Sequence, residues 1–221
     1  MNFVGIDLEH STISQEEASR IISACHGSGT LCLPRLASHN MEMAKRLLDS
    51  GADGLIVPTV STSEEAERLI AWSKYPPKGR RGYGIASAQG YGFDFSEYVS
   101  KWNDISSLIV QIETIEGVEN IEEILSHEEI DGVMVGPYDL SGSLGIPGEI
   151  HHRLVQAACR RVIVACAKFK RACGTQLIEP DRKTVHAAFS AGYTFLVLSS
   201  DIFLLWKWSE RMKALIRVSK K

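Results

Sequence analysis

The chain has 221 residues, with 24 basic and 27 acidic side chains, a formal net charge of −3, 44% hydrophobic and 23% charged residues. These proportions exclude a disordered, collagen-like or coiled-coil chain, and a chain this long buries roughly 70% of its unfolded surface on folding, enough for a core without staples. The charges are interspersed, with no basic stripe for nucleic acid. The apolar runs Leu108–Ile112 and Ile202–Trp206 fall far short of the roughly 18 residues of a membrane span. Five cysteines and a first segment without leader character lead us to expect a cytoplasmic protein with reduced thiols, no nucleic-acid partner and no membrane anchor.

In chain order, short apolar runs alternate with amphipathic stretches. The runs are Phe3–Asp7, Thr30–Leu33, Gly54–Val57, Leu108–Ile112, Gly132–Val135, Gly174–Leu177 and Phe195–Leu198. They read as strands buried on both faces of a parallel sheet. Ser14 and Glu17 form a capping box for a first helix, Asn40 caps a second that Gly51 stops, and Thr62 and Glu65 box a third that cannot pass Pro76. Glu116–Ser126 and Ile150–Cys173 read as helices, Asp181 caps one that Gly192 ends, and Ile202–Val218 is the last. Cys159, Cys166 and Cys173 recur along the second of these at a spacing read as helical core rather than as a metal site.

The stretch 76–104, with Pro-Pro and many glycines, breaks the rhythm; a connection so long in a compact domain is usually functional. We therefore expect one domain over residues 1–221, with a long loop over 76–104 and a C-terminal helix over 202–218. The α/β class is best served by a (β/α)8 barrel. An open doubly wound sheet is the alternative, against which no Gly-x-Gly-x-x-Gly follows the first strand.

In such a fold the site lies at the C-terminal ends of the strands. There stand Asp7, Glu9 and His10, then Arg35, then Gln111 and Glu113, then Gly136, Pro137 and Tyr138 leading to Asp139. Glu113 and Asp139 have no basic sequence neighbour. Two close carboxylates repel unless a proton or a cation intervenes, and carboxylates with water suit Mg²⁺ or Mn²⁺. No lysine stands at a strand end to form a Schiff base.

Val110-Gln111-Ile112-Glu113-Thr114 and Gly132-Val133-Met134-Val135-Gly136-Pro137-Tyr138-Asp139-Leu140-Ser141 resemble the HpcH/HpaI aldolase family. So do Ile6-Asp7-Leu8-Glu9-His10, Gly51-Ala52-Asp53-Gly54-Leu55-Ile56-Val57-Pro58 and Tyr75-Pro76-Pro77-Lys78-Gly79-Arg80-Arg81-Gly82, in matching order along nearly the whole chain. The resemblance implies a modified (β/α)8 barrel, a homo-oligomer (a hexamer or another multiple of a dimer) whose last helix is exchanged between subunits, and metal-dependent cleavage or formation of 4-hydroxy-2-oxo acids through a pyruvate enolate. It implies Glu113 and Asp139 as ligands of a divalent metal, Mg²⁺, Mn²⁺ or another such ion. By the same resemblance His10 is the acid/base, Arg35 the enolate-side cation and Asp49 the carboxylate that a neighbouring subunit presents to the base. Gln111, with Gly136, Pro137 and Tyr138, contacts a small 2-oxo acid. Two departures stand out: the family's first strand and helix have no counterpart, leaving an incomplete barrel of seven strands, and Gln89 stands where members tend to carry Arg. Condensation or decarboxylation of oxaloacetate on the same metal, and a non-catalytic member retained for assembly, are the alternatives.

Overall fold

The structure, a computed structural model, describes residues 2–218. Seven parallel strands run in sequence order around one sheet: β1 (Phe3–Asp7), β2 (Leu31–Arg35), β3 (Gly54–Val57), β4 (Ser107–Ile112), β5 (Gly132–Val135), β6 (Ala172–Leu177) and β7 (Phe195–Leu198). The helices are α1 (Gln15–Gly27), α2 (Met41–Asp49), α3 (Ser63–Ser73), α4 (Phe95–Ile105), α5 (Ile115–Glu119), α6 (Ile121–Leu125), α7 (Pro137–Ser143), α8 (Arg153–Phe169), α9 (Arg182–Ala191) and α10 (Asp201–Val218). The result is an α/β barrel that is nearly but not fully closed. None of the described helices is long and apolar enough to cross a membrane.

Local chemistry sets the boundaries. Ser14 accepts from the Glu17 amide while Glu17 accepts from that of Ser14, and Thr62 and Glu65 repeat the exchange, so both boxes satisfy orphan N–H groups at helix starts. Asn40 caps α2 through the Met43 amide. Three readings need correction. The helix expected over 150–173 stops at Phe169, where Lys170 turns left-handed (φ 55°), so Cys173 lies on β6 and only Cys159 and Cys166 share α8. All five cysteines are free and buried. The stretch 116–126 is two short helices rather than one. The long segment carries α4, whose Trp102 is buried and donates from Nε1 to the Ser73 carbonyl at 2.7 Å.

One apolar layer lies between strands and helices; a second plugs the barrel, built from Leu33, Ile56, Ile109 and Met134 with Phe3, Phe195 and Val197 against them. Alternation along a strand returns the same face every second residue. The plug residues therefore set the parity of what stands above them. Leu33 leads to Arg35, Ile109 to Gln111 and Glu113, Met134 to Gly136, and Phe3, by way of Gly5, to Asp7.

Among the described residues β1 pairs only with β2, from Phe3 against Leu31 to Asp7 against Arg35, and β7 pairs only with β6. The rings of Phe3 and Phe195 meet edge to face across the gap, with centroids 6.4 Å apart. Gly174 makes room for this, since a Cβ there would sit 2.2 Å from the Phe195 ring. The two edges thus touch through side chains at the base of the barrel without a hydrogen-bonded closure.

Candidate active site

At the mouth of β1 and β2, Arg35 donates from Nε and Nη2 to the two oxygens of Asp7 at 3.0 and 2.7 Å, and its Nη1 lies 3.0 Å from Glu9 Oε2. A bidentate fork of this kind fixes the guanidinium plane. Burial pushes the Asp7 carboxyl up, but the hydrogen bond and charge of Arg35, with the amides of His10 and Glu9, outweigh it and hold Asp7 below its ordinary value. Glu9 is held above its ordinary value: burial dominates, Arg35 and His10 oppose it, and the charges of Glu113 and Asp7 add to it. His10 is exposed, its Nε2 3.6 Å from Glu9 Oε2.

Beyond β4 and β5 the two expected metal-binding carboxylates do converge. Gly136 shows it: a Cβ there would lie 3.1 Å from Glu113 Oε2 and 3.5 Å from Asp139 Oδ2. Glu113 is buried, and its Oε1 accepts from the Thr59 amide at 2.8 Å and from the Thr59 hydroxyl at 2.6 Å. Gln111 Nε2 donates to Glu113 Oε2, and Gln111 Oε1 is buried without a partner. Two carboxylates facing one small cradle, beside an orphaned acceptor oxygen, fit a hard divalent cation. Among the described residues no cluster of three or more His, Cys, Asp or Glu surrounds one point. Other ligands would thus be water or substrate oxygens. Pro137 and Tyr138 open α7, and Tyr138 is exposed.

Asp49, which the resemblance assigns to the base of a neighbouring subunit, is held within its own chain by another partner. It ends α2, where Oδ1 accepts from Arg81 Nη2 at 2.8 Å. The Arg81 side chain is fully buried, and its guanidinium lies 4.5 Å from the Trp102 ring centre, 4.8 Å from Tyr75 and 5.5 Å from Tyr98. Gln89 is buried and turns inward, its Oε1 accepting from the Ala86 amide at 3.0 Å, so it anchors the long segment rather than the site. Arg81→Met should destabilise the fold by about 3 kcal/mol in urea denaturation, because it strands the Asp49 carboxylate and empties an aromatic cage. A midpoint unchanged from wild type would contradict that account.

Asp7 and Glu9 stand among the strand-end groups read from the sequence, but their role, holding the Arg35 guanidinium in place, is a contact that only strand parity could have revealed. Thr59 has no sequence signal, because its grip on Glu113 depends on a left-handed backbone (φ 51°) that a β-branched residue rarely adopts.

Comparison with known proteins agrees with the geometry. Residues 2–207 match the family described as HpcH/HpaI aldolase/citrate lyase. A hydroxypyruvate/pyruvate aldolase of Roseobacter denitrificans is 33% identical over 201 residues, covering 90% of this chain and 78% of that one. The crystal structure of an HpcH/HpaI aldolase from Desulfitobacterium hafniense superposes with a TM-score of 0.89 at 28% identity, covering 98% of this chain and 84% of that one. That of a citrate synthase superposes with a TM-score of 0.85 at 25% identity, covering 99% and 84%. The barrel, the strand-end residues and these likenesses together establish that the chain belongs to the HpcH/HpaI aldolase/citrate lyase family, whose enzymes make and break carbon–carbon bonds.

Proposed function

We propose that this protein is a divalent-metal-dependent aldolase that cleaves or forms 4-hydroxy-2-oxo acids, with pyruvate as the released or donated keto acid. The observation that carries this reading is the convergence of Glu113 and Asp139 on the Gly136 cradle. Glu113 and Asp139 would hold Mg²⁺, Mn²⁺ or a similar ion, leaving positions for substrate oxygens. Such an ion supplies Lewis acidity toward the carboxylate and 2-oxo group of a keto acid.

The chain's own residues do the rest. Arg35, locked by Asp7 and Glu9, supplies a fixed positive charge for the anionic side of the substrate. Gln111 and the backbone of Gly136, Pro137 and Tyr138 bound the keto-acid site. In cleavage His10 takes the 4-hydroxyl proton as the C3–C4 bond breaks; the electron pair of that bond passes to C3, which takes up a proton from His10 or water to become the methyl group of pyruvate, and synthesis runs these steps in reverse, a task suited to a histidine at neutral pH. Asp49, held by Arg81, would serve from a neighbouring subunit of a homo-oligomer in the cytoplasm.

His10→Ala should slow turnover by on the order of 10² to 10⁴, the usual worth of a positioned acid–base group, while leaving Mn²⁺ and pyruvate binding intact. An unchanged rate with a lowered melting temperature would make His10 a structural residue instead. Likeness to a citrate synthase favours one second reading, in which the same site condenses oxaloacetate with an activated acyl group. Two assays separate them: release of pyruvate from 4-hydroxy-2-oxo acids, and consumption of oxaloacetate with an acyl thioester. Aldol cleavage alone supports the first reading; condensation without cleavage overturns it.

A further inference from the structure

We infer that Thr59 is a positioning residue that makes Glu113 a one-oxygen ligand and thereby selects small octahedral cations over Ca²⁺. This rests on the reading of Glu113 as a metal ligand. Thr59 follows β3 in a left-handed conformation with φ 51°. For a β-branched side chain that conformation is strained and persists only where the surroundings enforce it. They do so here. His39 lies 2.8 Å from the Pro58 carbonyl, the Val60 amide donates to the Gln111 carbonyl at 3.0 Å, and Ser61 Oγ lies 2.7 Å from Thr114 Oγ1.

The turn brings both donors of one residue to one oxygen. The Thr59 amide and hydroxyl reach Glu113 Oε1 at 2.8 and 2.6 Å. A carboxylate oxygen has two lone-pair sites, so Oε1 is fully engaged. Among the described residues Oε2 has only Gln111 Nε2 as a donor, and it lies against the cradle that Asp139 Oδ2 also faces. A carboxylate fixed in this way offers the cation one oxygen. Ca²⁺ favours carboxylates that bind through both oxygens in a flexible shell, whereas Mg²⁺ and Mn²⁺ accept one-oxygen ligands in a compact octahedron. The selectivity would thus be set by a hydroxyl that need not touch the metal. Thr59 is itself exposed, so replacing it disturbs no core packing.

The test is calorimetric titration of the full chain with Mn²⁺ and with Ca²⁺. Thr59→Val, which keeps the shape and loses the hydroxyl, should weaken Mn²⁺ binding by about 10- to 100-fold, the usual worth of a partner behind a metal ligand. It should weaken Ca²⁺ binding less, which narrows the preference. Thr59→Ser should stay within about 3-fold of wild type for both ions, since it restores only the hydroxyl. Should Thr59→Val fail to fold, Thr59→Gly, with no hydroxyl and no strain at φ 51°, gives the same comparison. Glu113→Gln is the control. If it loses Mn²⁺ binding while Thr59→Val or Thr59→Gly binds Mn²⁺ like wild type, Thr59 does not position the ligand. If Thr59→Ser falls as far as Thr59→Val, the hydroxyl is not the active group. If Glu113→Gln itself binds Mn²⁺ like wild type, the underlying ligand assignment fails and the proposal with it.

Discussion

Glu113→Gln and Asp139→Asn should each abolish turnover and leave no measurable Mn²⁺ binding, with the melting temperature within a few degrees of wild type. Each change removes one negative charge from a pair facing the same cradle and keeps the side-chain volume. In Glu113→Gln the amide oxygen can still accept from the Thr59 amide and hydroxyl, which hold Oε1 in the native chain. Its NH2 group then replaces Oε2 and turns a donor toward the cation. Asp139 is exposed at the start of α7, so its loss costs the fold little. Wild-type Mn²⁺ affinity in either variant, read by calorimetry, would remove that residue from the ligand set.

Truncation after Asp201 should give an insoluble or inactive chain. The fold presents an accessible surface of 12820 Å², against about 10,000 Å² for a folded monomer of this mass. On α10, Ile202, Leu204, Leu205, Trp208 and Ile216 are all exposed, and Trp206 is 49% exposed. Lys207, 2.6 Å from Glu179, ties the helix to the end of β6. An apolar helix of this kind is unstable in water without a partner surface, and the open edges of β1 and β7 have the same need. We propose that α10 packs against another copy of the chain, as the family resemblance implies. Sedimentation of the truncated chain checks this: a soluble, active monomer would refute it.

Much of this architecture was legible in the residues, for identifiable reasons. Strands buried on both faces leave unbroken apolar runs, as in β3 and β5, whose residues are all buried; β1 and β7 lie where their runs lie but, at the open edges, are mostly half-buried or exposed. Helix caps are short-range chemistry, so Ser14, Asn40 and Thr62 marked their helices. Strand parity carries Arg35, Gln111 and Glu113 to the mouth once the plug residues are known. What escaped is tertiary. The pattern of α4 is easily missed because Tyr98 and Trp102 pack on the buried Arg81 guanidinium as well as on the core. The end of α8 is hidden because Lys170, not glycine, takes the left-handed turn. Thr59 is hidden for the same reason, since nothing in its neighbours announces φ 51°. The pairing of Asp49 with Arg81 joins residues 32 apart that no motif links.

The proposed aldolase would, with a divalent metal bound at the mouth of the barrel, remove and return a proton at the methyl group of pyruvate. Exchange of the pyruvate methyl protons in deuterated water, followed by proton magnetic resonance, tests it without knowledge of the second substrate. Exchange is expected with Mg²⁺ or Mn²⁺ present, none after chelation, recovery on adding the ion back, and none in Glu113→Gln. Absence of exchange by folded protein loaded with Mn²⁺, or exchange that persists under chelator, would contradict it.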